Sequence, residues 1–89
     1  MSFNNLYNKV YHEILFLSGE FDVKKVFSIV AKNCPNNFTN SQKKMLSISV
    51  MNELLNRGLV KVLKNGMYET AIESAKRKII IRNEEVENV

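Results

Sequence analysis

The sequence predicts a mainly α fold with a small β-hairpin, and three observations carry that prediction. Apolar residues recur at helical spacing in three successive segments before residue 58. The period then shortens to that of a strand over residues 59–64, and Asn65-Gly66, the strongest two-residue hairpin signal, follows at once. A further helical stretch begins at about residue 71. At 89 residues and 10.3 kDa the chain is of single-domain size. We expect the domain to occupy residues 1–82, with a polar tail that frays over 83–89.

The first helix is expected over residues 6–17. Leu6, Val10, Ile14 and Leu17 fall on one face, with Asn8, Lys9, His12 and Glu13 on the other. Asn4 or Asn5 is placed to cap its start and Gly19 to stop it. Asp22 would cap a second helix over 23–32, apolar at Val26, Phe27 and Val30, which Asn33-Cys34-Pro35-Asn36-Asn37 ends because Pro35 lacks an amide proton. Thr39-Asn40-Ser41-Gln42 fits a capping box that opens a third helix running to Arg57 and stopping at Gly58. Rotating by 100° per residue places Ser47, Ile48, Met51, Leu54 and Leu55 inward. Gln42, Ser49, Asn52, Glu53 and Asn56 point outward, and Met45 and Leu46 also lean to that side. Residues 59–64 and 67–70 then form the two strands, joined by a type I′ turn with positive φ at both Asn65 and Gly66. Thr70-Ala71-Ile72-Glu73 is a second capping box, starting a C-terminal helix with Ile72, Ala75 and Ile79 on one side.

Composition excludes several function classes. With 45% hydrophobic and 25% charged residues, three glycines and one proline, the chain is neither collagenous, low-complexity nor disulfide-stapled. No apolar run approaches the ~20 residues of a membrane span, and no basic segment followed by an apolar block opens the chain, so a cytoplasmic protein is expected. The single cysteine, Cys34, has no intrachain partner. The net charge of +4 is concentrated. Between residues 23 and 64, Lys24, Lys25, Lys32, Lys43, Lys44, Arg57, Lys61 and Lys64 stand against Glu53 alone, whereas both flanks are net acidic. A positive field localised in this way is what a polyanion-binding surface needs, although a solvated basic face has the same charge.

From Asp22 to Thr70, about half the chain, the sequence resembles a winged helix-turn-helix domain of the bacterial and phage regulator type. The resemblance is carried by Leu54-Leu55-Asn56-Arg57-Gly58-Leu59-Val60-Lys61-Val62 followed by Asn65-Gly66-Met67-Tyr68, which is similar to the exit from a recognition helix into a wing. The implied fold is three helices, a wing hairpin and a C-terminal helix. The connection from Asn33 to Phe38 is longer than the 3–4 residues of a tight helix-turn-helix. In this it is similar to ferric-uptake-regulator-like and penicillinase-repressor-like winged helices. The ferric-uptake type binds metal through histidines and cysteines, and with only His12 and Cys34 here no metal site is expected.

The resemblance implies double-stranded DNA as partner, with the third helix in the major groove and the wing on flanking DNA. Gln42, Lys43, Ser49 and Asn52 are the candidates for groove contacts, with Lys44 beside them and Met45 or Leu46 positioned for thymine methyls. Lys61, Lys64 and Asn65 would lie at the minor groove or its phosphates, and Lys24 and Lys25 on the backbone. The function expected is that of a small transcription regulator. A winged helix that docks a protein partner through the third helix is the alternative, favoured by the apolar strip Met45, Leu46 and Val50 and by the charge of Glu53.

Other residues have plainer readings. His12 is a surface or half-buried helix residue, Cys34 a non-reactive loop thiol, and Tyr7 and Tyr11 edge packing. No acid–base pair, phosphate loop or cofactor motif appears, so no catalysis and no cofactor are expected. The Ile72, Ala75 and Ile79 stripe either packs on Leu6, Val10 and Ile14 or pairs two copies. Ile80 and Ile81 extend it beyond one face, and recognition helices of a two-fold dimer would sit roughly 34 Å apart on DNA. A homodimer through residues 71–82 is the expected assembly.

Overall fold

In a computed structural model, which describes residues 3–76, the order is α1 (Phe3–Leu15), α2 (Val23–Asn33), α3 (Asn40–Asn56), β1 (Val60–Val62) and β2 (Tyr68–Thr70), followed by helical residues 71–76. The fold is thus mainly helical with one small antiparallel hairpin, in the register Val60–Thr70, Lys61–Glu69 and Val62–Tyr68. Residues 77–89 lie outside the described residues, and with them Ile79, Ile80, Ile81 and the polar tail.

Each of the three long helices packs on the other two, and β1 packs on α3. Their shared interior holds Leu6, Val10 and Ile14 from α1, Val26, Ile29 and Val30 from α2, and Leu46, Val50, Met51 and Leu54 from α3. The helices begin and end where their local chemistry dictates. Asp22 Oδ1 accepts from the Lys25 amide at 3.0 Å, satisfying a donor that the first turn of α2 leaves unpaired. Both halves of the Thr39 capping box are made. The hydroxyl accepts from the Gln42 amide at 3.1 Å, and Gln42 Oε1 accepts from the Thr39 amide at 2.8 Å.

The exit from α3 is a Schellman turn. The Leu59 amide donates to the Leu54 carbonyl at 2.9 Å and the Gly58 amide to the Leu55 carbonyl at 3.1 Å, with Gly58 at φ +71°. Leu59 then tucks against the core and aims the chain into β1.

A third extended segment completes the hairpin layer. Phe21, between α1 and α2, exchanges two backbone hydrogen bonds with Tyr68, at 2.9 and 2.8 Å, and their rings lie 5.8 Å apart. The hairpin is thereby tied to the start of α2 as well as to the end of α3.

Four expectations need correction. The first concerns the rotation of α3. Leu46 and Val50 are buried with Leu54, whereas Ile48 is 59% exposed and Glu53 is half-buried instead of outward. Apolar residues surround this helix, so periodicity alone leaves its buried side undetermined. Packing selects the row at i, i+4 and i+8 that meets both α1 and α2.

The second is the hairpin turn. Among the described residues only glycines have positive φ, so Asn65 does not take the type I′ conformation. The Gly66 amide donates to the Leu63 carbonyl at 3.0 Å, the Leu63 amide donates to the Met67 carbonyl at 2.8 Å, and Gly66 alone is left-handed at φ +83°. This is the three-residue loop of a type I turn closed by a glycine bulge. Asn65 Oδ1 supports it by accepting from the Met67 amide at 2.9 Å.

Third, α1 starts at Phe3, which makes Asn4 and Asn5 helical residues and not caps. It ends at Leu15, ahead of the expected Leu17. Fourth, of the two readings of the Ile72 and Ala75 stripe, the one that buries it within the chain is not met at the start of the last helix. Ile72 and Ala75 are exposed and Ser74 is buried. Of the second capping box, the Thr70 hydroxyl accepts from the Glu73 amide at 3.2 Å, while the Glu73 carboxylate faces Lys76 at 3.9 Å.

Candidate nucleic-acid interface

The outward side of α3 is the centre of the candidate site. Met45, Ile48 and Asn52 stand at i, i+3 and i+7, opposite the buried row of Leu46, Val50 and Leu54, and all three are exposed. Ser49 and Asn56 flank them on one side and Lys44 on the other. The start of α2 borders the same surface. An open cleft of about 360 Å³ runs between the two helices and the hairpin, lined by Val23, Phe27, Lys44, Ile48, Asn52 and Tyr68, among others. A second depression on the far flank of α3, about 240 Å³, is formed by Phe38, Gln42, Met45, Leu46 and Ser49.

The ten residues singled out from the sequence separate into three groups. Lys24, Lys25, Lys44, Ser49, Asn52, Lys61 and Lys64 are exposed and free to meet a partner. Gln42 and Asn65 are exposed but their amides are engaged. Gln42 closes the cap of α3, and Asn65 Nδ2 donates to Glu20 Oε1 at 3.0 Å while its oxygen holds the turn. Lys43 is half-buried beside the loop that carries Cys34. Val23, Lys44 and Asn52 are brought together along one cleft. Lys61 is not part of that grouping. Alternation along β1 puts it with Glu69 on the face of the hairpin opposite Val62 and Tyr68.

The acids near this surface are engaged elsewhere. Asp22 caps α2 and Glu20 accepts from Asn65. Glu53 lies on the α1 side of α3, beside Tyr7. Burial first, and then the Glu53 carboxylate, push the Tyr7 phenol above its usual value. The Tyr7 hydroxyl donates to the Ser49 carbonyl at 3.3 Å, which locks α1 against α3. Glu53 thus stands to the side of the outward stripe of Met45, Ile48 and Asn52. Further away, Glu13 pairs with Lys32 at 3.0 Å and accepts from Asn33 Nδ2 at 3.2 Å, and the Lys32 contact holds its carboxyl below the ordinary range. Among the described residues, Lys24, Lys25, Lys44, Lys61 and Lys64 take part in no ion pair.

The remaining candidates for chemistry have structural roles. His12 is exposed, with Nδ1 2.7 Å from the Asn8 carbonyl one turn back. Burial pushes the Cys34 thiol up, so the thiolate form is disfavoured at neutral pH. Tyr11 is buried at the edge of the core, stacked on Tyr7 at 6.4 Å, and Arg57 Nη1 donates to its hydroxyl at 3.4 Å. Among the described residues no three acidic, histidine or cysteine side chains gather to hold a metal ion, and no helix is long and apolar enough to cross a membrane.

Sequence reasoning missed the apolar contribution of Ile48, Val23, Phe27 and Tyr68 to this surface. One signal was available. The third helix carries more apolar residues than a single face can bury, so some had to point outward. No family model, curated protein or solved structure matches the chain.

Proposed function

We propose that this chain is a small DNA-binding transcription regulator of winged helix-turn-helix type, acting in the cytoplasm without a cofactor or catalytic step. In this reading α3 lies in the major groove, the lysines at the start of α2 meet the backbone, and the hairpin rests on flanking DNA. One observation carries the reading. Four exposed lysines without ion-pair partners among the described residues, Lys24, Lys25, Lys44 and Lys64, belong to the three elements such a docking would use, and Asp22 and Glu20 between them are turned to other partners. The sequence resemblance and the tie between Phe21 and Tyr68, which fixes the hairpin beside α2, support the same assignment. Pairing of two copies through the segment that begins at residue 71 belongs to the proposal, and the exposure of Ile72 and Ala75 is consistent with a face still to be covered.

A second reading has its own observation. Val23 and Ile48 are each more than half exposed around one cleft and Met45 is equally exposed beside the neighbouring depression, as a protein-docking surface would have them.

Salt dependence separates the two. Binding of the full chain to a random-sequence 20-bp duplex, followed by fluorescence anisotropy between 50 and 300 mM salt, should give a log–log slope of about −3 to −5, near −0.9 per neutralised phosphate. Lys24→Ala with Lys44→Ala should flatten that slope by about two units. A slope near zero in the parent protein would transfer the assignment to the docking module.

A further inference from the structure

We infer that the DNA recognised by this chain is read through thymine methyl groups, so that its target is an A·T-rich duplex whose 5-methyls meet Met45 and Ile48. The inference rests on the DNA-binding reading above and specifies the class of site.

The argument starts from what α3 offers to a groove. Its outward stripe of Met45, Ile48 and Asn52 is 69% exposed at Met45 and 59% at Ile48. These are large apolar side chains where a reader of guanine would carry arginine or lysine, which pair bidentately with O6 and N7. No arginine lies within α3. Arg57, at its C-cap, is held against Tyr11 on the α1 side. Of the two lysines, Lys43 is half-buried and Lys44 stands on the flank facing α2. Gln42, which could otherwise pair a base, is spent on the cap.

What remains along the stripe is two apolar side chains and one free amide, with the Ser49 hydroxyl, which suits any base, at its edge. The only apolar group on the major-groove edge of a base pair is the thymine C5-methyl, and the amide geometry of Asn matches adenine N6 and N7. Asn52 is exposed and, among the described residues, its side chain makes no hydrogen bond. Met45 and Ile48 sit one turn apart, ~4.5 Å along the helix axis, close enough to meet methyls on neighbouring steps. Covering those methyls would also remove from water the apolar surface that otherwise marks α3 as a docking face.

The test removes the methyl and nothing else. The parent protein is titrated by anisotropy with three 20-bp probes, compared at one salt concentration and then repeated at a second. These are an alternating dA-dT duplex, the same duplex with every thymidine replaced by deoxyuridine, and an alternating dG-dC duplex. Burying one methyl is worth ~0.8 kcal/mol, about four-fold in affinity, so two contacts predict roughly ten- to twenty-fold weaker binding to the uridine duplex. The dG-dC duplex should bind no better than the uridine one. A Met45→Ser, Ile48→Ser double variant, checked for an unchanged thermal midpoint, should bring the thymidine-to-uridine ratio close to one. Equal affinity for the thymidine and uridine duplexes, with salt-dependent binding to both, would overturn this inference and leave the DNA-binding reading standing. No binding to any of the three would overturn both.

Discussion

Replacing Leu46 and Ile48 separately with alanine tests the rotation of α3, on which the whole candidate site depends. The two positions are 200° apart around the helix, so a core that contains one excludes the other. Leu46 is 2% exposed. Its truncation removes three carbon atoms from the interior, about 2.4 kcal/mol at ~0.8 kcal/mol each, and the cavity left behind raises the loss to about 3–4 kcal/mol. Ile48 keeps 59% of its surface in water. Its truncation forfeits about 1 kcal/mol of burial at most, and the better helix propensity of alanine returns roughly 0.4 kcal/mol. The net cost should be near 0.5 kcal/mol. Urea denaturation followed by circular dichroism at 222 nm measures both differences directly. In a domain of this size the Leu46→Ala midpoint should also fall by on the order of 12–32 °C on heating, and that of Ile48→Ala by only a few degrees. Equal losses, or a larger loss at Ile48, would refute the rotation and return Ile48 to the core.

Three further perturbations follow from the local geometry. Gly66→Val should cost about 1–2 kcal/mol through its φ of +83° alone, since open space surrounds the position of a Cβ; Gly66→Asn should cost less, and a thermal midpoint equal to the parent's in the valine variant would contradict the bulge. Thr39→Ala removes both the hydroxyl acceptor and the anchor of the capping box and should lower stability by about 1 kcal/mol in urea. Glu13 has a carboxyl pKa below its unfolded value, so its contribution is present above the ordinary carboxylate range and is lost as pH falls through the lowered folded value. Glu13→Gln should accordingly be less stable than the parent at pH 6 and approach it as pH falls through the lowered folded value, as read from urea midpoints at successively lower pH. A constant gap at every pH would show that the Lys32 pairing contributes nothing.

The sequence by itself determined what depends on neighbouring residues. Asp22 and Thr39 start their helices because a side-chain oxygen can reach an amide two or three positions on. Gly58 ends α3 because the left-handed turn there needs no Cβ, and the strand-period run after it can only leave the helical core. The concentration of lysines between residues 23 and 64 is likewise a fact of composition.

Tertiary structure alone decided which side of α3 faces inward, because a helix apolar on every side carries no rotational signal. It also decided that Glu53 is drawn to Tyr7, a partner 46 positions away in the chain, and that Asn65 answers to Glu20, 45 positions away. The turn type followed from the same cause. Asn65-Gly66 permits a two-residue turn, but the pairing of Tyr68 with Phe21 and of Leu63 with Met67 sets a register in which only Gly66 becomes left-handed. Local chemistry chooses where elements begin and end. Contacts between distant residues choose which of their faces remain to meet another molecule.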